Sequence, residues 1–113
     1  MSNEIVTAEE ILQTAREAIA EHPERLNPVV DHTCVYTAPS DPDWHCIAGE
    51  IAVRRGWKLP GPDDYPFVGV TELSATYNWP VDDEGIAVLK DLQGKADYAT
   101  YGGDSWSHIQ VPE

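Results

Sequence analysis

Within DWHCIAGEIAVRRGW, residues 44 to 55 show apolar positions on nearly every side of a helical wheel and only three charged side chains, Glu50, Arg54 and Arg55. Ile47 and Ile51 fall on one side, Ala48 and Ala52 on another, and Cys46, Gly49 and Val53 on a third. A helix that is apolar almost all round has to be packed on more than one side, so this segment is expected at the centre of the domain. Asp43 is the expected cap at its start. Gly56 suits the left-handed position that ends it, and Trp57 is placed to fold back over Ile51 or Ala52. Glu50 lies one turn before Arg54, and an ion pair between them is the economical way to keep a carboxylate on such a helix.

The other elements follow from caps and punctuation. Thr7 with Glu10 three residues on forms a capping box, Val6 and Ile11 are spaced for a hydrophobic staple, and Ile11, Leu12, Ala15, Ala18 and Ile19 share one face. That helix should end near His22, because Pro23 disfavours helical geometry just before it. Residues 33 to 37 alternate as a short extended segment, and APSDPDW reads as a turn-rich loop. KLPGPDDYPF, residues 58 to 67, is too rich in proline for regular structure, and a weak helix is expected in VTELSATYN. The last strong helix is capped by Asp82, stapled by Val81 and Ile86, and striped by Ile86, Leu89, Leu92 and Ala96. The fold expected is mainly α: a compact bundle of three to four short helices with long Pro/Gly-rich loops. Residues 1–113 are read as one domain, with residues 1–5 as a flexible end; for the tail 102–113, which starts at the Gly102–Gly103 pair, docking back and fraying both stand open.

Twenty acidic against seven basic side chains give a formal charge of -13. Lys and Arg supply most nucleic-acid affinity, so neither direct nucleic-acid binding nor an anionic membrane is expected. No stretch approaches a membrane span, and the start lacks a basic region followed by an apolar run, so a cytoplasmic protein with reduced cysteines is expected.

Three constellations bear on chemistry. Cys46 at a helix start is the one candidate nucleophile, since a helix dipole lowers a thiol pKa. His45 beside it would point about 100° away on a helix, so a base would come from elsewhere in the fold, His32, His22 or His108, with Asp31 or Glu50 orienting it, and no spacing rule selects among the three. His32, Cys34, His45 and Cys46 are together an acceptable set of zinc donors, but their spacing matches no paired-ligand arrangement. Asp82, Asp83 and Glu84 are explained by capping and the helix dipole. Phosphate-cradling glycine motifs, the G-x-S-x-G elbow and H-E-x-x-H are missing. The favoured reading therefore has no catalytic residue, no metal and no cofactor.

Aromatics give a different lead. Trp44, Tyr65, Trp79, Tyr101 and Trp106 fall in loops or at element ends, and Trp and Tyr dominate protein interfaces. Trp44, Tyr65, Trp79 and Trp106 are the expected binding residues. Cys34, Tyr36, Cys46, Gly49, Gly56 and Trp57 are the expected structural ones.

The pattern CVYTAPSDPDWHCIAGEIAVRRG, together with HPERLNP before it and WPVDDEGIAVLKDLQGKAD after it, resembles small uncharacterised proteins of actinobacterial bacteriophages and their hosts. Its positions here are Cys34, Tyr36, His45, Cys46 and Gly49, and the likeness spans roughly residues 7 to 98. The resemblance implies a phage or prophage setting and host cytoplasm, and it carries no catalytic residue. It is compatible with a packing module in which the two thiols face each other under the Tyr36 ring. The function expected is that of a non-enzymatic accessory protein binding a host or partner protein through an acidic, aromatic-containing surface. Two alternatives stand beside it: a Cys46-dependent enzyme, and an inhibitor that mimics nucleic acid to occupy a DNA-binding protein.

Overall fold

The first helix begins where the capping box places it. In the computed structural model, which describes residues 5–30, 33–38, 41–59 and 69–111, helix α1 spans Ala8–Glu21. The Thr7 hydroxyl accepts the Glu10 N–H at 3.2 Å, and the Glu10 carboxylate accepts the Thr7 N–H at 3.2 Å. Such a cap is worth about 1 kcal/mol. Ile11, Ala15 and Ala18 are buried on the expected face, with Leu12 and Ile19 packed at its edge, and His22 is the C-cap.

Among the described residues four short strands follow, in two antiparallel pairs: β1 (Val29–Val30) with β2 (Thr33–Cys34), and β3 (Thr37–Ala38) with β4 (Asp41–His45). The turn-rich loop expected over APSDPDW is instead partly strand, because β4 takes the segment up to His45. This shortens the central helix: α2 runs over Ile47–Arg54, and its N-cap is Cys46, not Asp43. Its C-terminus is as expected. Gly56 has φ +75°, its N–H donates to the Val53 carbonyl at 3.1 Å, and the Trp57 N–H reaches back to Ala52 O at 2.8 Å. These two bonds make a Schellman closure. Helix α2 packs against α1 and the last helix, with Ile47, Ala48, Ile51 and Ala52 fully buried.

Helix α3 (Val70–Thr76) is the weak helix of the sequence, and α4 (Asp83–Tyr101) is the longest element. The Asp82 carboxylate caps α4 by accepting the Gly85 N–H at 2.8 Å. Leu89, Leu92 and Ala96 form its buried stripe, but Gly85 fills the position expected of Ile86, which is only half-buried. Helices α1 and α4 run side by side in the same direction. Val6 and Val81, the residues before their caps, form a parallel bridge, and past their ends Trp106 N–H donates to Arg25 O at 2.7 Å and Ser107 N–H to Pro23 O at 2.9 Å.

Of the two courses open to the tail, docking and fraying, those last bonds are the docked one. A 3-10 turn at Trp106–His108 docks beside α1, with Trp106 and Ile109 buried. Trp106 is 1% exposed and Trp79 6%, so two of the expected surface aromatics belong to the core. Their position at element ends is compatible with burial because each indole N–H has a carbonyl partner: Trp79 donates to Lys58 O at 2.8 Å and Trp106 to the side-chain carbonyl of Asn27 at 3.0 Å. Trp79 also stacks at a tilt on Trp57, with ring centroids 5.1 Å apart. Among the described residues, no helix is long and apolar enough to cross a membrane.

Candidate functional site

The start of α2 holds the one thiol with a described side chain, and every backbone donor there has a partner. The first amides of a helix have no intrahelical acceptor. Here Ile47 N–H donates to Asn27 Oδ1 at 3.0 Å, Ala48 N–H to Gln93 Oε1 at 3.0 Å, and Gly49 N–H to Cys46 Sγ at 3.3 Å. The cap residue's own N–H donates to the Tyr36 carbonyl at 3.2 Å. A helix start that might receive an anion is thus closed by the protein's own side chains.

Asn27 is the hub. It is buried on the turn between α1 and β1, where its Nδ2 donates to Asp97 Oδ1 at 2.7 Å and its backbone N–H to Thr100 Oγ1 at 3.0 Å. Gln93 Nε2 also donates to Asp97 Oδ1, at 3.3 Å. One polar network therefore joins the turn after α1, the start of α2, the middle of α4 and the docked tail. Among the described residues, no buried side-chain nitrogen or oxygen is left without a partner.

Cys46 is fully buried, and its thiol is pushed up to about 12, first by loss of solvation and also by the Asp97 charge, against the lowering effect of the Gly49, Gln93 and Ala48 donors. Desolvation thus outweighs the helix dipole, and the reactive, accessible nucleophile weighed from sequence is not what the fold presents. Burial likewise raises the Tyr36 phenol well above its usual range, with the Cys46, Asp97 and Glu72 charges adding to it. His45 sits in β4, not on a helix, and its Nδ1 lies 3.0 Å from Thr37 Oγ1.

His32 and Tyr65 lie outside the described residues, as do Asp31 and the Cys34 side chain, so a Cys34–Cys46 contact lies outside them too. Of the zinc donors considered, His45 and Cys46 are engaged by Thr37 and Gly49. Among the described residues, no group of three or more His, Cys, Asp or Glu is arranged to hold a metal ion. Gly49 has a packing role: a Cβ there would lie 2.7 Å from the Tyr36 carbonyl oxygen, so only glycine lets this carbonyl, in the bend between β2 and β3, approach α2. The expected Glu50–Arg54 pair is present at 2.9 Å, and Arg54 extends it with two bonds to the Glu21 carboxylate.

On the surface, the fold exposes Tyr101 as expected and adds Tyr98, while Trp79 and Trp106 are inside. Trp44 is half-buried, with its Nε1 donating to Leu26 O at 2.7 Å. Tyr98 and Tyr101, one turn apart on α4, are 84% and 60% exposed. Beside them lies a shallow hollow of about 310 Å³ lined by Lys95, Tyr98, Ala99, Asp104, His108 and Gln110. Sequence reasoning noted Tyr101 and missed Tyr98, although Leu89, Leu92 and Ala96 define a stripe that leaves 98 on the outer face. Asn27, Gln93 and Asp97 were missed as well. The one local hint was a polar residue set between Leu26 and Pro28.

Comparison with protein-family models, with curated proteins and with solved structures returns no match.

Proposed function

We propose that this chain is a non-enzymatic accessory protein that binds another protein, a host factor in a phage or prophage setting, through an acidic surface bearing Tyr98 and Tyr101. The observation that carries the reading is the pair itself: two large amphipathic rings one turn apart on a rigid helix, exposed in a chain that packs Trp79 and Trp106 inside. Tyrosine supplies contact area at low entropic cost, and such rings are frequent interface anchors. A thiol closed into a helix cap supports the non-enzymatic part. The phage setting and the cytoplasmic location rest on the sequence pattern around Cys34, Tyr36, His45, Cys46 and Gly49.

Affinity capture from host lysate tests it, comparing the tagged chain with a Tyr98→Ser/Tyr101→Ser variant. Both substitutions are on exposed positions, so the fold should survive, and thermal melts confirm that. Loss of one specific captured protein with an unchanged melt is the expected result. Capture that ignores both tyrosines, or no specific captured protein at all, would overturn the proposal.

A further inference from the structure

The two helix starts that meet at Val6 and Val81 share one edge of the molecule. Val6 N–H donates to Pro80 O at 2.7 Å, and Gly85 brings α4 so near α1 that a Cβ there would sit 3.0 Å from Ile11 Cδ1. Beside this seam opens a cleft of about 580 Å³ lined by Ala8, Glu9, Leu12, Arg16 and Glu84. Its apolar lining is Ala8 and Leu12, the latter half-buried and packed against the core, beside the charged Glu9, Arg16 and Glu84. Glu9 and Glu84 rise from the facing first turns, both exposed.

Charge decides what such a cleft accepts. The first turns and caps carry Glu9, Glu10, Asp82, Asp83 and Glu84. Opposing them are the two helix dipoles, each equivalent to about half a positive charge, with Arg16 along the cleft and Arg55 3.6 Å from Glu10. The acid prevails locally, and the net charge of -13 reinforces it at long range. A second copy of this chain carries charge of the same sign and is a poor electrostatic complement.

We infer that the cleft between the starts of α1 and α4 docks a basic amphipathic segment of the partner protein. An aliphatic side chain of that segment covers Ala8 and Leu12, and a Lys or Arg head lies between Glu9 and Glu84. The inference rests on the protein-binding reading above and gives the partner a chemistry. It is separate from the Tyr98–Tyr101 surface, which lies toward the other end of α4.

A synthetic helix of about 15 residues, near the length at which an isolated helix begins to persist, serves as the probe: Leu one turn apart on one face, Arg on the flanks. It is titrated into the full chain with amide chemical shifts as the readout, beside a scrambled peptide of the same composition. Shifts concentrated at Ala8–Arg16 and Asp83–Gly85, together with at least about tenfold weaker binding to a Glu9→Gln/Glu84→Gln variant of unchanged melting temperature, are expected. Equal binding of the scrambled peptide, shifts scattered over the acidic surface, absence of binding, or indifference to the double variant would overturn the inference. Capture that still depends on Tyr98 and Tyr101 would then leave the protein-binding reading standing. Failure of both experiments would remove both.

Discussion

Trp106 and Asn27, near opposite ends of the chain, meet in the core, where the indole Nε1 donates to Asn27 Oδ1 at 3.0 Å. The same oxygen accepts Ile47 N–H, and the amide nitrogen reaches Asp97. Asn27→Ala should therefore strand two buried donors, the Trp106 indole N–H and the Ile47 N–H, and remove one of the two donors on the half-buried Asp97 carboxylate. At about 1–3 kcal/mol for each unsatisfied buried donor, a loss of at least about 2 kcal/mol is expected. Trp106→Phe keeps most of the buried ring and removes only the N–H donor, so about 1 kcal/mol is expected. Urea unfolding of the two variants checks the order, and an Asn27→Ala chain as stable as wild type would dismiss the network as a stabilising element.

Burial of the Cys46 thiol makes stability fall in alkali. An unfolded cysteine loses its proton near its ordinary value of 9.0, whereas the folded thiol holds it to about 12. Between those values the folded state binds more protons, so stability is fully present below about pH 9 and drains away as pH rises toward 12. Tyr36 adds a loss of the same sign above its ordinary 10.0. In a Cys34→Ser background, urea midpoints at about pH 8 and about pH 10 should separate clearly, and adding Cys46→Ser should shrink the separation. Serine is an accepted cap, so that variant should stay within about 1 kcal/mol of its parent at neutral pH. The Cys46 thiol should also resist alkylation until the protein unfolds, and rapid labelling of the folded chain would contradict the burial argument.

What was legible in the sequence was local. Thr7–Glu10 and Asp82 announce their helices through caps that span three residues, and Gly56 with Trp57 announces an end the same way. The start of α2 was hidden because its cap is a thiol, a group outside the usual oxygen-bearing set, while Asp43 beside it looked better qualified. Trp79 and Trp106 were misplaced for a related reason. An indole at an element end is buried only if a distant carbonyl takes its N–H, and Lys58 and Asn27 supply those across 21 and 79 positions. Likewise, nothing local joins Asn27, Gln93 and Asp97.

Arg54 stands between two carboxylates of different burial. Glu50 is 8% exposed and Glu21 lies at the surface, where the guanidinium holds its carboxyl below the usual range. Arg54→Met leaves the buried Glu50 without its cation, and about 2–3 kcal/mol of stability should be lost, somewhat under the range for a fully enclosed pair. Glu21→Gln should have only a small effect, because an exposed partner is screened by solvent. Glu50→Leu combined with Arg54→Leu should recover much of the loss, since an apolar pair of that size carries no desolvation cost. A double variant no better than Arg54→Met alone would show that the ion pair does more than balance a buried charge.

Three glycines separate steric need from helix propensity. At Gly49 an added methyl meets the Tyr36 carbonyl at 2.7 Å and the His45 Cβ at 3.1 Å, so backbone must move, and that carbonyl already binds Cys46 N–H. Gly49→Ala should cost about 1–3 kcal/mol, as overpacking does. At Gly85 the obstacle is the Ile11 Cδ1 methyl at 3.0 Å, a side-chain end that needs to yield only a few tenths of an ångström. The gain of up to about 1 kcal/mol from replacing a helical glycine roughly offsets it, so Gly85→Ala should be near neutral. Gly94, exposed inside α4, has nothing within 4 Å of an added Cβ, and Gly94→Ala should stabilise by about 0.5–1 kcal/mol. Thermal melts of the three single variants should therefore rank Gly94→Ala highest and Gly49→Ala lowest. A Gly49→Ala protein melting at or above wild type would mean that the Tyr36 carbonyl is not fixed against α2.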